Sequence, residues 1–277
     1  MSTASGASTP SDLADVPVRD ASTVILLRDA AAGIEVFLLE RVGGMAFAGG
    51  MTVFPGGGVD LSDADADTGL EWTGPSASWW AERFGVDERK ATALVCAAAR
   101  ETFEECGVLL AGPTADSVVS DTRRFADDRG ALERREQTFG EFLTRNELVL
   151  RADLLRPWSN WITPVGEKRR YDTRFFVAVV PEGQTADGET SEAASVGWRS
   201  LDAALEDWRR GATILLPPTW SQLAGLTTFD GVDAVLAASP DVTPIQPDLY
   251  HSDGELRVDF PGQDAYYAGS THPWADR

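Results

Sequence analysis

Two apolar runs near the start of the chain predict a pair of strands. Residues 22–27 and 34–40 are rich in valine, isoleucine, leucine and phenylalanine, and the segment 28–33 between them ends in a glycine. Apolar runs of this length on either side of a short glycine-containing segment are typical of two strands joined by a turn. A third short strand is predicted at 52–54, directly before a proline and three glycines.

A long helix is predicted over residues 88–106. The segment contains no glycine or proline, the aspartate before it is a suitable N-cap, and Gly107 after it is a typical C-terminal stop. Residues 59–87 are rich in Asp, Ser and Gly, which predicts an irregular segment. Within that segment, a short helix is expected around Trp79 and Trp80.

The second half of the chain mixes helical and strand patterns. Residues 114–147 are helical in composition. Their candidate buried residues are Phe125, Leu132, Phe139, Phe142 and Leu143. Further strands are predicted at 161–163 and 174–180, and further helices at 201–210, 217–226 and 232–238. The mixture predicts an α+β fold, divided into a disordered lead at 1–20, one domain at 21–245 and a C-terminal extension at 246–277.

The charge and hydrophobicity of the chain narrow the class of partner. The chain carries 44 acidic and 24 basic residues, a formal net charge of −20. Nucleic-acid-binding proteins normally carry a basic surface, so no nucleic acid partner is expected. No stretch approaches the roughly 20 consecutive apolar residues that span a bilayer, and the N-terminus lacks the pattern of a secretory signal. We therefore expect a cytoplasmic protein with no membrane partner.

The two cysteines are expected to be free thiols. Cys96 and Cys106 lie ten residues apart in the predicted helix, which separates them by about 15 Å along its axis. This distance is too long for a disulfide bond between them. Free thiols suit a reducing compartment.

The strongest chemical signal is the segment from Arg100 to Val108, Arg-Glu-Thr-Phe-Glu-Glu-Cys-Gly-Val. On a helix, Glu101 shares a face with Glu104 and Glu105, at spacings of three and four residues. Like charges on one stripe repel one another, and a hard divalent cation such as Mg²⁺ relieves the repulsion through oxygen ligands. The alternative is an acidic face in contact with solvent. The apolar residues just before this segment and the glycines upstream favour an anchored site.

This segment resembles the second half of the signature of the Nudix hydrolases. Residues 54–57 resemble the glycine-rich opening of the same signature. Gly57 and Arg100 are 43 positions apart, which is much longer than the usual spacing, so an insertion inside the signature is expected at 58–87. Counted back from the arginine, the early glutamate of the signature would fall on Thr92.

Other segments are similar to one branch of that family. The insertion, the segments 36–41, 161–164 and 170–176, and Glu192 followed by Trp198 all resemble the branch that includes the peroxisomal coenzyme A diphosphatase. The resemblance implies an α/β/α sandwich with a mixed sheet, an insertion inside the signature and added helices.

The resemblance also implies a metal site. Glu101, Glu104 and Glu105 would bind Mg²⁺ or Mn²⁺, with the carbonyl oxygen of Gly57 as a further ligand. Arg100 lies beside the first glutamate and four residues before the second, where it can pair with a carboxylate and fix its orientation.

The implied reaction is the hydrolysis of a diphosphate linkage in a nucleoside diphosphate derivative. The favoured substrate is coenzyme A or acyl-coenzyme A, which would give 3′,5′-ADP and (acyl-)4′-phosphopantetheine. Glu105 or Glu192 would act as the general base. The alternatives are ADP-ribose, NADH or a dinucleotide as the substrate, or a Nudix-fold module that binds a nucleotide without cleaving it.

Basic residues near the expected site are scarce. Arg41, Lys168, Arg169 and Arg170 are the candidates for contacts with substrate phosphates. For the last three, a basic turn in contact with solvent is the alternative. Members of the family often pair, so a homodimer is expected.

Overall fold

The computed structural model describes residues 16–42, 50–64, 71–189, 193–252 and 254–269. Its strands are β1 (Val18–Ala30), β2 (Gly33–Arg41), β3 (Thr52–Val53), β4 (Gly56–Gly58), β5 (Trp72–Thr73), β6 (Ala111–Gly112), β7 (Val149–Arg151), β8 (Arg156–Ile162), β9 (Arg170–Val179), β10 (Ala193–Ser200), β11 (Pro244–Ile245), β12 (Asp248–Ser252) and β13 (Glu255–Asp259). Its α-helices are α1 (Ala77–Phe84), α2 (Glu88–Cys106), α3 (Ala126–Glu133), α4 (Phe139–Arg145), α5 (Leu201–Arg209), α6 (Pro217–Leu226), α7 (Val232–Ala237) and α8 (Gln263–Gly269).

A mixed sheet forms the centre of the described part of the chain. Six strands lie in the order β10-β2-β1-β9-β8-β11, and the short strands β3 and β4 pair with β2 and β1. β1 is parallel to β9, from Val18 opposite Arg170 to Leu27 opposite Val179. Its other partners, β2 and β4, are antiparallel to it. β1 is therefore an interior strand, and its side chains alternate between the two faces of the sheet.

Helices cover both faces of this sheet. On one face, Leu26 and Phe176 belong to a core shared with α1, α2, α3 and α4. On the other face, Ile25 and Phe175 belong to a core shared with α5, α6, α7 and α8. Neighbouring residues of a strand point to opposite faces, so β1 and β9 contribute to both cores. The arrangement is the α/β/α sandwich that the resemblance implied.

Helix α2 has a cap at each end and the bounds that its sequence predicted. Asp87 Oδ1 accepts a hydrogen bond from Lys90 N at 2.8 Å. Gly107 ends the helix in the left-handed conformation, with φ 69°, where a residue with a Cβ is disfavoured. Residues 93–99 are all buried. This buried stretch anchors the helix and thereby fixes the position of its acidic C-terminal turns.

The insertion and the segment 114–147 both pack against α2. In the insertion, α1 carries Trp80 into the core, 5.7 Å from Phe176 between ring centroids. In the segment 114–147, the five apolar residues predicted to be buried are buried, and Phe142 stacks on Phe103 of α2. β5 and β6 both pair with β7, so a small second sheet joins the insertion to the two strands that flank this segment.

The start of the domain differs from the prediction. β1 begins at Val18, inside the predicted lead at 1–20, because the strand continues its pairing with β9 to that residue. Residues 1–15 lie outside the described part of the chain. The folded domain therefore begins earlier than the predicted boundary at residue 21.

The predicted C-terminal extension at 246–277 also contributes to the sandwich. Its first part forms the hairpin of β12 and β13, followed by α8. Phe260 and Tyr266 are buried, and both rings contact Trp220 of α6. This aromatic contact makes residues up to 269 part of the second core and not an appendage to it.

Two further observations concern the cysteines and the apolar character of the helices. Cys96 and Cys106 are free and buried, as their spacing predicted. Within the described residues, no helix combines the length and the apolar character that crossing a bilayer requires.

Candidate active site

The glycines of β4 bring the backbone against the C-terminal half of α2. Gly56 lies opposite Thr23 of β1, and a Cβ on Gly56 would fall 2.5 Å from the carbonyl oxygen of Ser22. This close approach of two backbones requires glycine. From this position, Gly56 N donates a hydrogen bond to Glu105 Oε2 at 2.7 Å, which orients the last glutamate of the acidic stripe.

Glu101 lies directly against Gly57. A Cβ on Gly57 would be 2.6 Å from Glu101 Oε1, closer than non-bonded atoms approach each other. At Gly58, the next residue of the strand, nothing lies within 4 Å of such a Cβ. The structure therefore brings Gly57 and Glu101 together, as expected for members of one site. The role of the Gly57 carbonyl as a metal ligand stays a prediction.

Arg100 joins two glutamates to the glycine strand. Its Nη1 donates to Glu101 Oε1 at 2.8 Å and to Glu104 Oε1 at 3.1 Å. Its Nη2 donates to the carbonyl oxygen of Gly58 at 3.0 Å. One guanidinium therefore joins two carboxylates of the stripe to β4. The orienting role of Arg100 in catalysis stays a prediction.

A further carboxylate, Asp63, reaches the same arginine from the segment after β4. Arg100 Nε and Nη2 donate to Asp63 Oδ1 and Oδ2, each at 2.9 Å. Only 6% of Asp63 is exposed. Asp63 is missing from the residues predicted for the site, although the sequence contains a signal for it. Counted forward from Gly57 instead of back from Arg100, the early acidic position of the signature falls on Asp63.

Thr92 does not take the place of the early acidic residue. Its Oγ1 donates to the carbonyl oxygen of Glu88 at 2.9 Å. Thr92 precedes Arg100 by eight residues, which corresponds to about 12 Å along the helix axis. Asp63 is therefore the carboxylate that contacts Arg100 from this part of the chain, whereas the Thr92 hydroxyl bonds within its own helix.

Burial raises the pKa of two glutamates of the stripe. It brings the pKa of Glu101 to about 7, against partial compensation by Arg100 and with added repulsion from Glu104 and Asp63. Burial also raises the pKa of Glu104, which Arg100 lowers in part. An ionised carboxylate loses solvation on burial, and here one arginine is shared among several of them. The stripe therefore has an excess of buried negative charge.

The chemistry of the stripe fits a hard divalent cation. Carboxylate oxygens are ligands that Mg²⁺ and Mn²⁺ prefer, and such a cation compensates for the buried charge. In the protein alone, Arg100 bonds Glu101 and Glu104, while the Gly56 N–H bonds Glu105. Accordingly, no group of three acidic, histidine or cysteine side chains forms a ready ligand set among the described residues. The assignment of the three glutamates of the stripe as ligands of the ion stays a prediction.

Arg129 of α3 holds the same turn of α2 from its other side. Its Nε donates to the carbonyl oxygen of Glu104 at 2.9 Å, and its Nη1 donates to Asp187 Oδ1 at 2.7 Å. Asp187 N donates in turn to the carbonyl oxygen of Cys106 at 3.0 Å. These bonds tie the end of α2 to the loop after β9. A cation at the C-terminus of a helix also complements the helix dipole.

Two predicted site residues flank β10. Glu192, a candidate for the general base, lies outside the described residues, and its role stays a prediction. Arg41 ends β2, where its N–H donates to the carbonyl oxygen of Met51 at 3.0 Å. Its backbone pairs with Ala193 of β10, which is the residue that follows Glu192.

The three basic residues before and at the start of β9 lie at another part of the sheet. Lys168 and Arg169 are exposed. Arg170 is buried, and its Nε donates to the carbonyl oxygen of Thr163 at 3.1 Å, so this side chain supports its own turn. Arg170 lies opposite Val18 of β1, whereas Gly57 lies opposite Ser22 of the same strand. These two positions on β1 are four residues apart, which corresponds to about 13 Å along the strand. A contact of these residues with substrate stays a prediction.

The fold and the helix-borne glutamates beside a glycine strand define a Nudix-type domain. The family model described as the NUDT19 Nudix domain matches residues 88–226, half of the chain. This chain belongs to that family. A solved Nudix hydrolase from Alicyclobacillus acidocaldarius has the same fold, with a TM-score of 0.71 and 24% sequence identity over 83% of this chain and 100% of that one.

Curated relatives share about a quarter of their residues with this chain. The acyl-coenzyme A diphosphatase NUDT19 of Xenopus laevis is 27% identical over 70% of this chain and 60% of that protein. The protein of the same name from Gallus gallus is 28% identical over 75% of this chain and 65% of that protein. The chain thus matches 60% to 65% of the length of these relatives.

Proposed function

We propose that this protein hydrolyses the diphosphate linkage of a nucleoside diphosphate derivative, with Mg²⁺ or Mn²⁺ as its cofactor. The observation that carries the proposal is the largely buried stripe of glutamates on α2, joined to the glycines of β4 by Arg100 and by the Gly56 N–H. A cation bound by a few carboxylates and by substrate phosphates is a common arrangement for Mg²⁺. The stripe supplies such carboxylates, and a cation can replace the hydrogen bonds that they make with Arg100 and the Gly56 N–H.

The stripe and the residues around it have different parts in this reaction. Arg100 keeps Glu101 and Glu104 oriented toward the same side of the helix. Glu105 or Glu192 accepts the proton of the attacking water. Glu101, Glu104 and Glu105 would hold the metal, which would supply a lower pKa for that water and neutralisation of charge on the diphosphate.

The favoured substrate is coenzyme A or acyl-coenzyme A, cleaved to 3′,5′-ADP and (acyl-)4′-phosphopantetheine. The family match and the names of the two relatives support this choice. Arg41 and the basic residues at 168–170 are the proposed contacts for the phosphates. The homodimer and the cytoplasmic location stay predictions.

The competing substrates are ADP-ribose, NADH and dinucleotides, because each contains the same kind of linkage. The competing class of function is a module that binds a nucleotide without cleaving it.

One assay separates these alternatives. The purified protein is incubated with coenzyme A, acetyl-coenzyme A, ADP-ribose, NADH and diadenosine polyphosphates, in about 5 mM Mg²⁺ or Mn²⁺ so that weak carboxylate sites are filled. Chromatography identifies the products.

We expect 3′,5′-ADP from coenzyme A, and no product after chelation of the metal. Glu105→Gln and Glu192→Gln identify the base, which is the residue whose loss lowers kcat by at least about 100-fold. Glu182→Gln, at an exposed position, is the matched control and keeps full activity. Turnover of ADP-ribose or NADH alone would refute the substrate, and binding without turnover of any compound would refute the reaction.

A further inference from the structure

Arg135 occupies a backbone conformation that favours glycine. Helix α3 ends at Glu133, and Arg135 follows with φ 58°. Its N–H donates to the carbonyl oxygen of Leu132 at 2.8 Å, and Glu136 N donates to that of Ala131 at 2.8 Å. These bonds end the helix in the way that a glycine usually does. A residue with a Cβ is strained in this conformation, so the arginine is retained at a cost to stability.

The strained arginine lies beside the segment that leads from β4 to Asp63. Its Nε is 3.9 Å from Asp60 Oδ2. Asp60 follows the last glycine of β4 by two residues, and its N–H donates to Asp63 Oδ2 at 2.8 Å. Asp63 in turn accepts the two hydrogen bonds from Arg100. One short chain of contacts therefore connects Arg135 to the guanidinium that orients the glutamates.

A hydrogen bond between α3 and the end of α2 places this helix beside the acidic stripe. Arg129, six residues before Arg135, donates from Nε to the carbonyl oxygen of Glu104 at 2.9 Å. Arg135 follows Glu133 by two residues, and 84% of its side chain is exposed. Its separation from Asp60 is beyond hydrogen-bond distance. The guanidinium is thus largely exposed to solvent, with a long ion-pair contact to Asp60, at the rim of a site rich in negative charge.

We propose that Arg135 binds a phosphate group of the substrate at this rim. The inference rests on the proposed function, because it assigns a second source of positive charge to the same site. An arginine donates up to two parallel hydrogen bonds to a phosphate, and its charge strengthens both. The segment 114–147 thereby supplies a substrate contact in addition to its packing against α2.

Substitution by glycine separates this role from a structural one. Arg135→Gly removes the cation and also relieves the strained backbone. We expect the Tm to rise by about 1 to 3 °C, while the Kd for a phosphate ligand rises about tenfold. Arg135→Lys keeps the charge, and its Kd is expected within about threefold of the unsubstituted value. A purely structural arginine would give the rise in Tm with no change in binding.

Arg135→Gly both relieves backbone strain and removes a positive charge, and one control variant matches each of these two effects. Glu147 is the other described residue besides glycine with a positive φ, 52°, and it follows α4 as Arg135 follows α3. Glu147→Gly therefore relieves a similar strain away from Asp60 and should leave the Kd unchanged. Arg134→Gln removes one positive charge from the adjacent residue, whose guanidinium pairs with Glu136 at 2.8 Å. It should also leave the Kd unchanged.

The Kd is measured by calorimetry with magnesium imidodiphosphate, a diphosphate analogue that resists hydrolysis, and the KM and kcat are measured for the substrate found in the turnover assay. We expect Arg135→Gly to raise the KM about tenfold with little change in kcat. Equal binding by Arg135→Gly and the unsubstituted protein, or an equal loss in Arg134→Gln, would overturn the inference and leave the proposed reaction intact. Binding of the analogue without turnover of any substrate would overturn the reaction, while the Kd values would still test Arg135.

Discussion

Asp63 and Arg100 are 37 residues apart in the chain, and two hydrogen bonds of 2.9 Å join the carboxylate of one to the guanidinium of the other. The pair is almost entirely removed from solvent, with 1% of the Asp63 side chain and 11% of the Arg100 side chain exposed. The same arginine holds Glu101 and Glu104. Asp63 therefore contributes to the site by fixing the residue that orients the glutamates.

Asp63→Asn is expected to affect both stability and activity. The substitution leaves a buried arginine without one of its charged partners, so the free energy of unfolding should fall by about 3 kcal/mol. The value of kcat/KM should fall by about 10- to 100-fold, because Arg100 no longer has a fixed orientation. Urea denaturation and steady-state kinetics measure the two effects. Thr92→Ala is the control and should change neither; an equal loss of activity in Thr92→Ala would contradict the assignment of Asp63.

Gly57→Ala and Gly58→Ala form a matched pair within one strand. The added methyl group at Gly57 would lie 2.6 Å from Glu101 Oε1, whereas the methyl group at Gly58 would meet nothing within 4 Å. The first substitution displaces the carboxylate, and kcat/KM should fall about 100-fold. The second should leave kcat/KM within about twofold, since it disturbs no neighbour. Equal kinetics of the two variants would show that the position of Glu101 does not limit the reaction.

The raised pKa of Glu101 predicts a loss of stability with rising pH in the chelated protein. Its folded pKa of about 7 lies above the ordinary value of 4.5, so the folded state binds this proton more tightly than the unfolded state does. The protonated Glu101 therefore adds to the free energy of unfolding. This added stability is complete below pH 4.5 and is lost as the pH rises through about 7. A shift of this size corresponds to on the order of 3 kcal/mol.

Urea denaturation at pH 5 and pH 8 measures that contribution. In Glu101→Gln the difference in unfolding free energy between the two pH values should shift by on the order of 3 kcal/mol, in the direction of greater relative stability at pH 8. Glu182→Gln should behave as the unsubstituted protein does, because Glu182 is exposed. An identical pH dependence in Glu101→Gln and the unsubstituted protein would exclude Glu101 as the source.

The ion pair between Arg129 and Asp187 is expected to stabilise the C-terminal turn of α2. Arg129→Met removes the hydrogen bond to the carbonyl oxygen of Glu104 as well as the ion pair, and should lower the unfolding free energy by about 2 to 3 kcal/mol. Asp187 is partly exposed, so solvent screens the pair, and a double-mutant cycle with Asp187→Asn should give a coupling of about 1 kcal/mol. Additive effects of the two substitutions would show that the pair does not act as a unit.

Local pattern was enough to predict several elements of this protein. The bounds of α2 and α6 agree with the predicted segments 88–106 and 217–226. Both segments lack an internal proline beyond the first turn, and capping depends on residues within four positions of the helix end. The common face of Glu101, Glu104 and Glu105 follows from helix geometry alone. Such features are decided by neighbours in the chain.

Tertiary structure decided how the site is assembled and what lies at its rim. Asp63 and Arg129 reach the acidic stripe from segments 37 and 25 residues away from their partners, and Arg135 reaches Asp60 across 75 residues of sequence. No periodicity relates such positions, because the packing of the insertion and of α3 against α2 sets their distances. Sequence alone therefore determined the acidic stripe and its helix. The tertiary structure decided which arginines and which carboxylate contact it, because a buried charge is stable only beside a partner and the fold sets which partners are near.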